Sequence, residues 1–99
     1  MAPIYKLWMM SKFTGAWWQL SDQERNSLHA RVLDALKKVG GKQILECTSA
    51  WSTEEWTHFG VEEFPDIEAV QKHTQLLHEL NWPRYVESVS MLGTKWPPS

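Results

Sequence analysis

His58 and Glu62 stand four residues apart in a stretch, residues 56–64, that alternates as a strand does. Alternation puts Trp56, His58, Gly60, Glu62 and Phe64 on one face and Thr57, Phe59, Val61 and Glu63 on the other. Further on, His73 lies three residues after Val70 and four before Leu77, in the middle of an apolar helix face. His29 borders a second such face through Val32 and Leu33. Imidazole titrates near neutral pH, so it can take a proton from one atom and return it to another. His73 and His58 are the candidate acid and base, with Glu62 to orient or polarise one of them. Such a set suits aldol cyclisation, enolisation, double-bond migration or elimination, none of which needs a cofactor. Tyr5 or Tyr85 could donate a hydrogen bond to a developing enolate oxygen. Trp56, Trp8, Trp17 and His29 complete the candidate substrate-binding set.

Each of these residues has a plainer reading. A lone histidine on an apolar helix face can be a core residue hydrogen-bonded to a backbone carbonyl, and His58 could be satisfied at a strand edge. His78 lies off the apolar face, where water solvates it. The histidines and Glu62 are ligand types for zinc or iron, but their spacing is not that of a metal motif, and no metal is expected. Cys47 has no evident activating neighbour, which argues against a nucleophilic role.

The elements that must position these side chains follow from the hydrophobic pattern. Residues 4–10 form an apolar run of strand length, followed by an aromatic loop over residues 11–20. Ser21-Asp22-Gln23-Glu24 has the form of a capping box, and Leu28, Val32, Leu36 and Val39 continue it as a helix face. Lys37 and Lys38 suit the last turn, and Gly40-Gly41 stops the helix. The pattern predicts strands over residues 43–51 and 56–64, joined by a tight hairpin. Asp66 then caps a second helix with Ile67, Ala69, Val70, Leu76, Leu77 and Leu80 on its apolar face. Asn81-Trp82-Pro83 breaks that helix, and residues 85–92 read as the last strand, closed by Gly93. Strand–helix–strand twice over is the ferredoxin-like βαββαβ plan, an α+β fold with two helices on one face of a four-stranded antiparallel sheet. Its other face is left bare, and an apolar bare face calls for a second subunit.

Ninety-nine residues make one domain, with the tail at residues 97–99 expected to be loose. Apolar residues are 42% of the chain and the net charge is −2, a globular balance with no basic footprint for nucleic acid. No stretch is apolar enough to cross a membrane, no signal-peptide pattern opens the chain, and the single cysteine fits a reducing cytoplasm. Seven tryptophans exceed what a core this small can hide, so some belong to a pocket or a subunit interface.

Val61-Glu62-Glu63-Phe64-Pro65-Asp66-Ile67-Glu68-Ala69-Val70, then Asn81-Trp82-Pro83-Arg84-Tyr85-Val86 and Met91-Leu92-Gly93, resemble the dimeric α/β-barrel superfamily. The likeness is greatest to a small, functionally uncharacterised group within it, which also places Trp ahead of a Leu-x-x-x-Glu-Arg helix start, here Leu20 to Arg25. It implies a homodimer whose sheets pack face to face, and a ligand held between the sheet and the two helices. Relatives include cofactor-independent antibiotic-biosynthesis monooxygenases, polyketide cyclases similar to olivetolic acid cyclase, muconolactone isomerases and haem-degrading enzymes. The sequence departs from them at Glu62, where relatives often carry a Trp. The expectation is a cytoplasmic homodimeric enzyme that works without a cofactor on an apolar, aromatic or polyketide-like metabolite, as a cyclase, isomerase or lyase. One alternative is a cofactor-independent monooxygenase of phenolic or anthrone substrates. Another is a non-enzymatic small-molecule or haem-binding protein, since some relatives ligate haem near the position of His73.

Overall fold

The apolar run that begins at Ile4 forms the first strand, which extends past Met10 to Phe13 (β1, Ile4–Phe13). The computed structural model describes residues 2–97, so Pro98 and Ser99 of the expected loose tail lie outside the described residues. After β1 come α1 (Gly15–Trp18), α2 (Asp22–Lys38), β2 (Lys42–Thr48), β3 (His58–Phe64), α3 (Ile67–Glu79), α4 (Trp82–Tyr85) and β4 (Val86–Gly93). The strands form one sheet in the order β2-β3-β1-β4, antiparallel throughout. This is the ferredoxin-like α+β fold.

Four local features differ from the expected outline, each for a physical reason. β1 continues through the polar Ser11-Lys12 because a bulge between Met10 and Lys12 absorbs the break in alternation. Four residues of the expected aromatic loop wind into the single turn α1. β2 stops at Thr48, and β3 begins only at His58. In place of a tight hairpin, residues 49–57 make a loop closed by Ser49, whose N–H donates to the Thr57 carbonyl at 2.8 Å and whose hydroxyl donates to the Trp56 carbonyl. Tyr85 lies in α4, not in β4: Asn81 takes a left-handed conformation (φ 57°), and Pro83 then sits in the first turn of a new helix.

The caps form as the sequence predicts. The Glu24 N–H donates to Ser21 Oγ at 3.1 Å, and the Ser21 N–H donates to Glu24 Oε1 at 2.8 Å. Asp66 Oδ1 accepts from the Ala69 N–H at 2.8 Å. Gly40, at φ 76°, ends α2 in a conformation that favours glycine. Leu36, Phe64, Ala69 and Val70 form the core between the helices and the sheet, with Ile4 and Val39 packed against them. Replacing Ser21 by Ala removes one half of the capping box. It should lower stability by about 1 kcal/mol in urea denaturation without changing the slope of the transition.

Candidate functional site

The register decides which side chains lie under the helices. Phe64 is fully buried and packs with α2 and α3, so its face of the sheet is the covered one. β1 and β3 pair Ile4 with Phe64, Lys6 with Glu62, Trp8 with Gly60 and Met10 with His58, and all of these share that face. β2 adds Gln43 opposite Glu62. A bulge between Gln43 and Leu45 then brings Glu46 opposite Gly60, on the same face. Beyond the hydrocarbon at Phe64 this face turns polar: Lys6, Trp8 and Glu62 are half-buried, and Gln43 and Glu46 on the edge strand are exposed.

Burial shifts Lys6 and Glu62, and His73 above them. The Glu62 carboxyl is held above its ordinary range by loss of solvent and by Glu46, against the pull of Lys6. The Lys6 ammonium is held below its own range by the same loss of solvent, against the pull of Glu62. His73 is 2% exposed, and its ring centroid lies 5.2 Å from that of Phe64. Burial, and secondarily the charge of Lys6, push its pKa down to about 4, so the imidazole is neutral at pH 7. Among the described residues, neither its Nδ1 nor Trp8 Nε1, both buried, has a hydrogen-bond partner. Gly60 lets the Trp8 indole lie against β3, since a Cβ there would stand 2.6 Å from both the ring and the Leu45 carbonyl oxygen. Each buried polar group left without any partner costs about 1–3 kcal/mol, so each is suited to a buried water, a bound molecule or a chemical role.

Not all the residues picked out from sequence meet here. Glu62 and Trp8 share the covered face, and His73 lies against Phe64 on that face, near enough to Lys6 to feel its charge. His58 shares the face but lies six residues before Phe64, roughly 20 Å along the strand. The expected His58–His73 acid–base pair is therefore not brought together, and His58 Nδ1 lies instead 3.1 Å from Thr57 Oγ1. Tyr5 belongs to the open face, in register with Glu63, and partial loss of solvent and that carboxylate raise its phenol pKa. Trp56 is half-buried in the 49–57 loop. Trp17 and His29 line a 280 Å³ cavity with Phe13, Arg25 and Asn26. Tyr85 lines a 500 Å³ groove between α2 and the end of α3, with Leu20, Leu28, Arg31 and Leu80 among its neighbours. Neither space touches His58, Glu62 or His73. Among the described residues, no three His, Cys, Asp or Glu side chains stand close enough to share a metal ion.

Sequence reasoning missed Lys6, Gln43 and Glu46. One signal was available: Lys6 has the parity of Ile4 and Trp8, so a lysine in the middle of an apolar strand had to face inward with them. Gln43 and Glu46 join the same face only because of the bulge at Ile44, which residue types alone do not reveal.

Sequence comparison matches the chain to no family model and to no curated protein. Solved structures do match. A protein of unknown function from Rhodopseudomonas palustris superposes with a TM-score of 0.68 at 15% identity, over 98% of this chain and 85% of that one. Hydroxynitrile lyase from Passiflora edulis gives 0.61 at 12% identity, over 97% and 96%. A dabb family protein with a ferredoxin-like fold from Mesorhizobium loti gives 0.53 at 12% identity, over 96% and 98%. Identities this low establish architecture and nothing finer: the chain has the ferredoxin-like fold, in company with small α+β proteins that include a lyase and uncharacterised members.

Proposed function

We propose that the layer of Lys6, Trp8, Glu62 and His73 is the working site of a small-molecule enzyme. It would move a proton on an apolar, aromatic or polyketide-like substrate in a cyclisation, isomerisation or elimination. The observation that carries this reading is the pair of buried nitrogens without partners, His73 Nδ1 and Trp8 Nε1, beside a lysine and a carboxyl whose pKa values burial has shifted. With its ring proton on Nε2, a neutral His73 presents Nδ1 as an acceptor for a proton from a carbon next to a carbonyl. The electron pair of the broken C–H bond moves onto the carbonyl oxygen. The Trp8 N–H or the Lys6 ammonium then stabilises the enolate. The protonated imidazole returns the proton at the new position. A second copy of the chain would cover the apolar open face, on the other side of the sheet from the site. That a hydroxynitrile lyase has this fold over nearly its whole length supports small-molecule chemistry on such a scaffold. The same unpartnered nitrogens would also serve a protein that only holds its ligand, and turnover separates the two readings.

Exchange of the methyl protons of 2-acetylnaphthalene for deuterium, followed by proton NMR in D2O, tests the proton transfer. The protein should accelerate exchange at least tenfold over buffer. His73→Phe should return the rate to background, and Lys6→Met should lower it by about 10–100-fold. An unchanged rate in His73→Phe would remove the imidazole from the mechanism. Saturable binding without any exchange would make the protein a carrier.

A stability measurement checks the buried imidazole independently. In the unfolded chain His73 takes up its proton near pH 6.5, and in the native protein near 4. Between those values the unfolded state binds more protons, so stability falls as the pH falls through the window, by on the order of 3 kcal/mol for this group. Glu62, whose native pKa is raised, has the opposite sign. The comparison is therefore of slopes: from pH 6.5 to 4, the wild type should lose more stability than His73→Phe does. Equal slopes would show that the imidazole is not held neutral.

A further inference from the structure

We infer that the cavity between α1 and the first turns of α2 is a second small-molecule site, shaped and charged for a planar aromatic anion of one or two rings. Phe13, Trp17, Arg25, Asn26 and His29 line it, and none of them belongs to the layer around His73.

Its wall is flat and fixed. The rings of Phe13 and Trp17 are stacked with centroids 4.5 Å apart and planes 20° apart. Edge contacts from Trp82 at 6.0 Å and Tyr85 at 6.5 Å brace Trp17, which is itself buried. The half-buried Phe13 ring, backed by Trp17, offers a planar guest a flat apolar surface.

The opposite side comes from α2, where Arg25 and His29 fall one helical turn apart and Asn26 follows Arg25. Arg25 is the one lining residue with a permanent charge, and no carboxylate lines the cavity. Its guanidinium donates to the Leu20 carbonyl at 2.5 Å, pairs with Asp22 and lies 5.7 Å from the Trp18 ring centroid. Those two bonds use two of its five N–H groups, and the Asp22 carboxylate is 92% exposed, where water weakens its hold. Arg25 is only 21% exposed, so its own charge is less screened. Aromatic walls alone would also attract a cation, but a fixed guanidinium beside them repels one. A carboxylate suits the planar fork, with the Asn26 amide as a further donor. At 280 Å³ the space is at the lower end of ligand pockets, which run about 300–1,000 Å³, and this limits the guest to a compact ring system.

The test uses 2-naphthoate with the intact chain, followed by saturation-transfer NMR and calorimetry. Saturable binding is expected, with the neutral methyl ester at least tenfold weaker and Arg25→Gln weakened to a similar degree. Arg25 also braces the start of α2, so Asn26→Trp provides a second variant: it fills the cavity without touching the Arg25 bonds and should abolish binding. His73→Phe should leave the affinity unchanged, which keeps this site separate from the proton-transfer site. Four results would overturn the inference: no saturable binding, equal binding of the ester, unweakened binding in both cavity variants, or loss of binding in His73→Phe.

Discussion

Phe64 is the joint of the molecule. It has no exposed surface, and through it the sheet meets Leu36 of α2 and Ala69 and Val70 of α3. A strand has a rigid two-residue period, so fixing one side chain inward fixes every second one. Once Phe64 is seated, Glu62, Gly60 and His58 must face the helices, and the antiparallel register turns Lys6, Trp8 and Met10 the same way. The polar layer follows from that anchor, and slipping the strand by one residue would expel Phe64 together with every group in the layer.

The result is a sheet with charged groups on its covered face and much hydrocarbon on its uncovered one. Lys6 and Glu62 sit beneath the helices, while Leu7, Met9, Phe59 and Val61 take the uncovered side with Leu45, Val89 and Met91. Two of the three neighbours on the outer strands are more than half exposed, Val89 at 53% and Met91 at 65%. Charges placed under helices lose solvent, which is why the lysine and the carboxyl of this layer shift in opposite directions. An arrangement this unfavourable to a lone chain is intelligible if the layer does chemical work and the hydrocarbon has a place to go.

Much of the fold was legible in the sequence because local chemistry specifies it. The Ser21 capping box, the Asp66 cap, the glycine stop after α2 and the apolar face that holds His73 are each written in adjacent residues. What depends on pairing between distant segments was not. The bulge at Ser11 carries β1 three residues beyond its apolar run, and the bulge at Ile44 decides which way Glu46 points. Residue types pick out His58, His73, Trp17 and His29 as a group, but the rise of a strand and the course of α2 distribute them among three places. Aromatic residues around residue 15 look like a loop because a four-residue helix has no periodicity to read.

β1 finds its neighbours late. Tyr5 pairs with Glu63 on one side and with Gly93 on the other, so the strand that carries Lys6 and Trp8 is completed from nearly opposite ends of the described chain. Contacts so remote in sequence close slowly, because the entropy of a long loop is lost before any pairing compensates it. Until β4 docks, β1 is an edge: an apolar strand with one row of unpaired amides, of the kind that captures other chains. The proposed site thus rests on the strand whose partners are most remote in sequence, and reaching the folded state is a constraint on Lys6 and Trp8 in its own right.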